Sequence, residues 1–107
     1  MPREKFQTLT EQMFYILLCL REECCGMDIM ERVKQMTGGR VTVGPGTLYH
    51  LLDQFAGAWM IEETKAEGRR RSYILTARGR EALEEERLRL EAQLRDYHRA
   101  FGEEEQR

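Results

Sequence analysis

The sequence predicts a mainly α-helical protein with one small β-hairpin and a long C-terminal helix. Three observations lead to this prediction. Apolar residues recur with a helical period in three successive segments, the period shortens to two after Met60, and a heptad-like apolar spacing fills the last part of the chain. Glycine or proline stands at most changes between segments, as is common between elements.

Length and composition favour a single compact domain. The chain has 107 residues, of which 34% are charged and 41% hydrophobic. A chain of this size buries one core and has room for a further helix outside it. The longest apolar run, Met13 to Leu20, is too short to span a bilayer, and no signal-peptide cleavage site is evident. We therefore expect a cytoplasmic protein without membrane association.

The charge is distributed unevenly, although the net charge is only −2. Residues 64–80 contain six basic side chains and one acid, which gives +5. Residues 81–107 contain nine acids and five arginines, which gives −4. A concentrated basic segment is typical of proteins that contact a polyanion.

The first helix is predicted to follow a loose arm of residues 1–8 and to end near Glu22. Thr8 and Glu11 have the spacing of a capping box, and Thr10 is an equally good cap. The apolar face of this helix carries Met13, Ile16, Leu17 and Leu20.

The second and third helices are predicted to form a helix-turn-helix. The second runs from Met27 to Met36, after a turn at Cys25–Gly26. The third begins at Pro45, which is favoured in a first helical turn, and ends at Gly57. Its apolar face carries Leu48, Leu51, Leu52 and Phe55. The opposite face carries Gly46, His50 and Asp53, flanked by Thr47, Tyr49 and Gln54.

Two short strands, Met60–Lys65 and Arg71–Leu75, are predicted to form a hairpin joined by residues 66–70. Arg69, Arg70 and Arg71 lie at or beside its tip. Arginine binds phosphates in a bidentate manner and enters narrow minor grooves. Alone, the helices would fit an ordinary bundle and the arginines a solvated turn. Together and in this order they predict a winged helix-turn-helix, since a helix fits the major groove of duplex DNA.

The last helix is predicted to be capped by Thr76 and to run to about Phe101, with residues 102–107 frayed. Its apolar residues form a heptad-like seam, interrupted by Arg87. The seam consists of Leu83, Leu90, Leu94, Tyr97 and Phe101. A domain this small cannot cover the seam, so we expect a second copy of the chain to do so. The chain then divides into a winged helix-turn-helix, residues 1–76, and a dimerisation helix with its tail, residues 77–107.

These segments resemble the phenolic-acid-decarboxylase-regulator (PadR) family of winged helix-turn-helix repressors. The resemblance rests on Leu9-Thr10, Gly44-Pro45-Gly46-Thr47-Leu48-Tyr49, the run from Glu67 to Thr76, and Gly79-Arg80-Glu81-Ala82-Leu83. It covers residues 9 to about 98. The resemblance implies a homodimeric transcriptional regulator, most simply a repressor, that binds duplex DNA. The single C-terminal helix is similar to that of the smaller subfamily, whose members pack it on the partner's first helix, so Met13 and Leu17 are expected at the dimer interface.

The resemblance places DNA contacts on Thr47 and Tyr49 and on the three consecutive arginines. Independently of the family, the rotation of the third helix adds His50 and Gln54 as candidates to contact base edges. The full candidate set is Pro45, Thr47, Tyr49, His50, Gln54, Lys65, Arg69, Arg70, Arg71 and Tyr73. Two third helices would then enter successive major grooves of a pseudo-palindromic operator. The resemblance also makes a small hydrophobic or phenolic effector a candidate partner.

Three residues depart from the family pattern. Met27 stands where the family often has an aromatic residue, and Trp59 stands where it usually has glycine. Trp59 is interpreted as a core or wing anchor, with a place in a ligand pocket as the alternative. Asp53 adds a negative charge to the face that would meet DNA. With the acidic C-terminus, Asp53 motivates the alternative function, a winged-helix protein-interaction or small-molecule-sensing module that does not bind DNA.

The sequence shows no pattern typical of an enzyme, a cofactor site or a metal site. There is no glycine-rich phosphate loop, no nucleophile with a placed base and no paired carboxylates in a plausible cleft. The cysteines, at positions 19, 24 and 25, lack CxxC spacing. We expect reduced thiols with Cys19 buried, and the alternative is a redox role for an exposed Cys24–Cys25 pair. Glu84–Glu86 is interpreted as the solvent-facing side of the last helix.

Overall fold

The structure, a computed structural model, describes residues 8–102. Within this range it contains α1 (Glu11–Cys19), β1 (Cys24–Cys25), α2 (Gly26–Met36), α3 (Pro45–Gly57), β2 (Ile61–Glu67), β3 (Arg70–Leu75) and α4 (Ala77–Ala100). The prediction of a mainly helical fold with a small hairpin and a long last helix is confirmed. In the part of the chain described, no helix is both long and apolar enough to cross a membrane. Most of the predicted N-terminal arm, and the tail after Gly102, lie outside the described residues.

Helix starts follow the capping residues of the sequence. Of the two candidate caps for α1, Thr10 fills the role, because its side-chain oxygen accepts a hydrogen bond from the Met13 N–H at 3.1 Å. Thr76 does the same for α4, accepting from the Gly79 N–H at 3.2 Å. Pro45 occupies the first turn of α3, as predicted.

α1 ends at Cys19, three residues before the predicted end near Glu22. The chain tightens there, because the Leu20 N–H donates to the Leu17 carbonyl oxygen at 3.0 Å. The Leu20 carbonyl oxygen then accepts from the Leu75 N–H at 2.8 Å, which directs the chain toward the sheet. A tertiary hydrogen bond to a residue 55 positions away thus ends the helix, and no local pattern indicates it.

The sheet contains a strand that the periodicity did not predict. Its order is β1-β3-β2, with Cys24 opposite Tyr73 and Cys25 opposite Ser72. The predicted turn at Cys25–Gly26 is therefore wrong, since Cys25 is in β1 and Gly26 already begins α2. Two residues are too few to show a period, so this strand exists only through its pairing with β3.

The hairpin is tighter than predicted. β2 and β3 pair from Ile61–Leu75 to Glu67–Arg70 and leave only Gly68 and Arg69 as the turn. Gly68 has a φ of 61°, which suits the first central position of a type II′ turn. Consequently only one of the three arginines lies in the tip, and the other two lie on β3.

The core joins α1, α2, α3 and the sheet. Its fully buried side chains are Ile16, Leu17, Cys19, Leu20, Ile29, Val33, Leu48, Leu52, Phe55 and Ile61. Leu17 is 0% exposed, so the prediction that it contributes to a dimer interface is wrong: its side chain is enclosed within one chain. Met13 and Leu83 are only partly buried at the edge of this core and keep some surface.

The long connection between α2 and α3 is held by specific hydrogen bonds. The Thr37 hydroxyl donates to the Val33 carbonyl oxygen at 2.9 Å and accepts from the Val41 N–H at 3.0 Å. Arg40 forms an ion pair with Glu11 at 2.6 Å, which ties the connection to α1. These contacts fix where α3 begins relative to the rest of the fold.

α4 is held to the N-terminal segment by a buried carboxylate. Glu86 is 3% exposed, accepts a hydrogen bond from the Leu9 N–H at 3.1 Å and pairs with Arg89. The interpretation of Glu84–Glu86 as a solvent-facing run is therefore wrong for Glu86. A charged residue this deeply buried is rare unless it is paired, and here its position is fixed by Leu9, which itself belongs to the core.

Trp59 is neither a core anchor nor enclosed in a pocket. Its side chain is 72% exposed, and its backbone has a φ of 64°. This left-handed conformation is one that glycine adopts freely and tryptophan rarely does. It accounts for the glycine that the resembling family usually has at this position.

Candidate nucleic-acid interface

α3 presents a polar face as the sequence predicts. Leu48, Leu51, Leu52 and Phe55 are buried, whereas the N-terminal half of the opposite face is exposed. Its exposed residues are Pro45, Gly46, Thr47, Tyr49, His50 and Asp53. Gln54 is half-buried on the flank. The helix therefore offers short polar groups, a phenol and an imidazole to a partner.

Tyr49 also fastens α3 to the start of α2. A Cβ atom on Gly26 would lie 2.5 Å from the Tyr49 hydroxyl oxygen and 2.8 Å from its Cζ atom. Only glycine permits this approach, because real Cβ atoms do not come so close to a neighbouring side chain. The Tyr49 ring is thus held against the backbone of α2 while 40% of the residue remains exposed.

The hairpin of β2 and β3, residues 61–75, is the wing of the winged helix-turn-helix and carries the predicted cations on its surface. Lys65 and Arg69–Arg71 are exposed. Two of them pair with acids of the preceding segment: Lys65 Nζ lies 3.7 Å from Glu23 Oε1, and an Arg70 guanidinium nitrogen lies 4.0 Å from Asp28 Oδ2. Ion pairs so exposed contribute little to stability, so these cations remain available to a stronger anion.

A cleft of about 280 Å³ lies between the wing, the start of α2 and α3. Its lining residues are Cys25, Gly26, Met27, Tyr49, Arg69, Arg70 and Arg71. Three guanidinium groups and a phenol at one cleft are suited to a phosphate, because arginine donates two parallel hydrogen bonds to its oxygens. Tyr49 belongs both to this cleft and to the exposed face of α3, so the two surfaces are continuous.

Tyr73 does not contribute to this surface as predicted. It is 5% exposed and packs in the core, so the prediction of a DNA contact is wrong. Burial raises the pKa of its phenol, an effect that the neighbouring Arg71 opposes. The charges of Glu63 and, more weakly, Asp53 also raise this pKa.

The Cys24–Cys25 pair is buried, with exposures of 4% and 5%. Burial raises the pKa of the Cys24 thiol to about 11, so the thiol is protonated at neutral pH. Since the thiolate is the reactive form, the alternative of an exposed redox pair is wrong for Cys24. Cys19 is also buried and reduced, as predicted, and burial raises its pKa as well. Between Thr8 and Gly102, no group of three metal-ligand side chains is found.

Comparison with known proteins decides the family. Residues 16–85 match the model of the transcriptional regulator PadR-like family, which is well over half of the chain. The chain belongs to the PadR-like family. This PadR-like protein is therefore a transcriptional regulator and not an enzyme.

Solved structures support the same fold for the PadR-like chain. RosR of H. salinarum, in the structure grown from NaBr, is 25% identical with a TM-score of 0.62, covering 86% of this chain and 96% of RosR. The RosR-S4 complex is 24% identical with a TM-score of 0.64, covering 94% of this chain and 99% of that one. No curated relative matches the sequence.

The family match accounts for the helix-turn-helix, the wing and the first third of α4, since it ends at Glu85. Sequence reasoning missed Glu23, Asp28 and Gly26 as parts of the candidate surface. Asp28 is recognisable in the sequence as an acid in a first helical turn, but its proximity to Arg70 depends on how β3 pairs with β1.

Proposed function

We propose that this regulator binds duplex DNA sequence-specifically as a homodimer on a pseudo-palindromic operator and represses transcription. One observation carries the proposal: the exposed polar face of α3 is continuous, through Tyr49, with a cleft lined by three wing arginines. A helix that inserts into the major groove needs adjacent groups to bind the backbone, and this surface supplies both.

The two parts of the surface have different roles. Thr47, His50 and Gln54 on α3 are proposed to contact base edges, whose donors and acceptors distinguish all four base pairs in the major groove. Pro45 begins the helix at the groove. Tyr49, Lys65 and Arg69–Arg71 are proposed to bind phosphates, which fix register but carry little sequence information.

The exposed apolar seam of α4 supports the homodimer. Leu90, Leu94, Tyr97 and Phe101 are 42%, 58%, 55% and 67% exposed. Contiguous exposed apolar residues mark interaction sites in folded proteins. With Met13 and Leu83 at its edge, this seam is proposed to pack against the same surface of a second copy. Two α3 helices about 34–36 Å apart would then match successive major grooves.

A small hydrophobic effector is proposed to bind beside the same helix. A groove of about 570 Å³ lies between α1 and α4, with Phe14, Leu18, Leu75 and Leu83 among its lining residues. Its volume is in the range of known small-molecule pockets. A ligand there would contact the base of α4 and change its angle, and hence the separation of the two α3 helices. We place the protein in the cytoplasm, where its operator would be.

Duplex binding is tested by fluorescence anisotropy of a labelled operator, selected from random duplexes with the wild-type protein, over a range of salt concentrations. Replacing Arg69 and Arg71 by alanine is expected to weaken binding at least about tenfold and to reduce the salt slope by roughly two. The matched control, R95A/R99A, removes the same charge from exposed positions on α4.

The control pair should change the slope by much less, because its charges lie away from the wing. Equal effects of the two pairs would show that only overall charge matters, and would refute the wing assignment. Failure of the wild-type protein to enrich any duplex would instead favour the interaction module that does not bind DNA.

A further inference from the structure

An exposed carboxylate lies beside one of the arginines that line the cleft between the wing, α2 and α3. Asp28 lies in the first turn of α2, and its Oδ2 atom is 4.0 Å from the Arg70 guanidinium. Both side chains are more than half exposed, at 56% and 66%, and neither is locked in place by burial. The ion pair spans 42 positions in sequence and joins α2 to β3 beside the cleft.

We propose that this cleft binds one phosphate of the DNA backbone, and that Asp28 is a built-in competitor which holds Arg70 until the phosphate displaces it. This inference rests on the proposed function. The phosphate would accept from Arg70 and Arg71 and from the Tyr49 hydroxyl, all of which line the cleft.

The geometry suits a single phosphate group. The cleft volume, about 280 Å³, is sufficient for one phosphate and its waters. The Tyr49 ring forms one wall of the cleft and packs closely on the backbone of Gly26. Asp28 then has two effects in the complex: it competes for Arg70, and it repels the phosphate through its own charge.

A second ion pair of the same kind joins Lys65 on β2 to Glu23. In both cases a wing cation contacts an acid of the segment from residue 23 to residue 28. A phosphate binds arginine more strongly than an exposed carboxylate does when it accepts two parallel hydrogen bonds. At Lys65 and Arg70, DNA would therefore displace an acid that already pairs with the cation.

The inference is tested by Asp28→Asn, with Glu31→Gln as the matched control. Glu31 is exposed on the same helix and accepts from Gln35, so its replacement removes the same charge without touching the wing. D28N is expected to tighten duplex binding at least about threefold at moderate salt, and E31Q less than about twofold. In an Arg70→Gln background the gain from D28N should fall to the level of the control.

Thermal unfolding of each variant establishes that the fold is kept. Equal gains from D28N and E31Q, a loss of affinity in D28N, or a gain that persists without Arg70 would each overturn the competitor role while leaving duplex binding established. Absence of duplex binding by the wild type would overturn both proposals.

A further measurement with inorganic phosphate distinguishes a DNA backbone phosphate from a free phosphate anion as the ligand of the cleft. At constant ionic strength, a low concentration of phosphate in place of chloride is expected to leave duplex affinity nearly unchanged, because a free anion lacks the other DNA contacts that hold a backbone phosphate in the cleft. Strong inhibition at micromolar phosphate that is lost in R70Q would assign the cleft to a free anion and overturn the DNA assignment.

Discussion

At the scale of single residues, Trp59 shows where this chain carries local strain. Its φ of 64° brings Cβ close to the following carbonyl oxygen, which costs about 1–2 kcal/mol for a residue other than glycine. Its side chain is 72% exposed, so packing within one chain does little to offset that cost. Because the strained backbone at Trp59 does not stabilise the single chain, we infer that this residue has a role other than stabilising the fold.

Trp59→Gly is expected to raise the free energy of unfolding by about 1 kcal/mol, because glycine adopts this conformation without the steric penalty. For a domain of this size the gain corresponds to an increase in Tm of roughly 4–8 °C. Thermal unfolding followed by circular dichroism measures it.

Trp59→Ala is the control, since alanine removes the indole but keeps Cβ. We expect it to leave Tm nearly unchanged. A gain in W59A as large as in W59G would mean that the exposed indole, and not the backbone conformation, is the destabilising feature.

At the scale of elements, α4 is joined to the rest of the fold by the Glu86 carboxylate. Glu86 is buried beside Leu9, and removing its side chain would leave the Leu9 N–H and Arg89 without that acceptor. A buried N–H that loses its acceptor has no hydrogen bond to replace those it made to water in the unfolded chain, so the fold is destabilised. The contact therefore couples the start of α1 to α4.

Glu86→Ala is expected to lower the free energy of unfolding by about 1–3 kcal/mol, whereas the exposed neighbour Glu85→Ala should change it by less than about 0.5 kcal/mol. Chemical denaturation measures both values. Amide exchange at Leu9 should accelerate in E86A alone. Unchanged exchange there would contradict the coupling even if stability fell.

The elements also show what sequence reasoning can reach. α2, α3 and the wing strands were predicted within a few residues, because periodicity, Pro45 and Gly68 are local signals. β1 and the early end of α1 were missed, since both depend on pairing with β3. The exposed face of α3 followed from helix geometry. The burial of Tyr73 did not, because strand alternation alone does not say which side of a small sheet is covered.

At the scale of the whole molecule, the chain is elongated, with extents of 57 × 33 × 21 Å. α4 contributes most to this shape, and beyond Leu83 its apolar residues are largely exposed. The family match ends at Glu85, so the seam residues from Leu90 onward lie outside the matched segment. A second copy is the simplest way to cover them.

Leu94→Glu is expected to convert the dimer to a monomer, because it introduces a charge into the middle of the apolar seam. Sedimentation equilibrium at micromolar concentration measures the mass, and the duplex affinity should fall as the second half-site is lost. Leu94 is 58% exposed in one chain, so the helical content of the monomer should be kept.

Gln93→Glu adds the same charge at an exposed neighbouring position and should leave the dimer intact. A wild-type protein that sediments as a monomer, or an L94E protein that remains a dimer, would contradict the assignment of the seam.

Trp59 also serves as an intrinsic fluorescent probe because of its position. It is the only tryptophan of the chain, its indole is in water, and its carbonyl oxygen accepts a 2.6 Å hydrogen bond from the hydroxyl of Thr76, the cap of α4. The natural fluorophore therefore lies where the base of the wing meets α4. The proposed assembly, the proposed effector binding and any movement of α4 against the wing can be tested through its emission, with no dye attached.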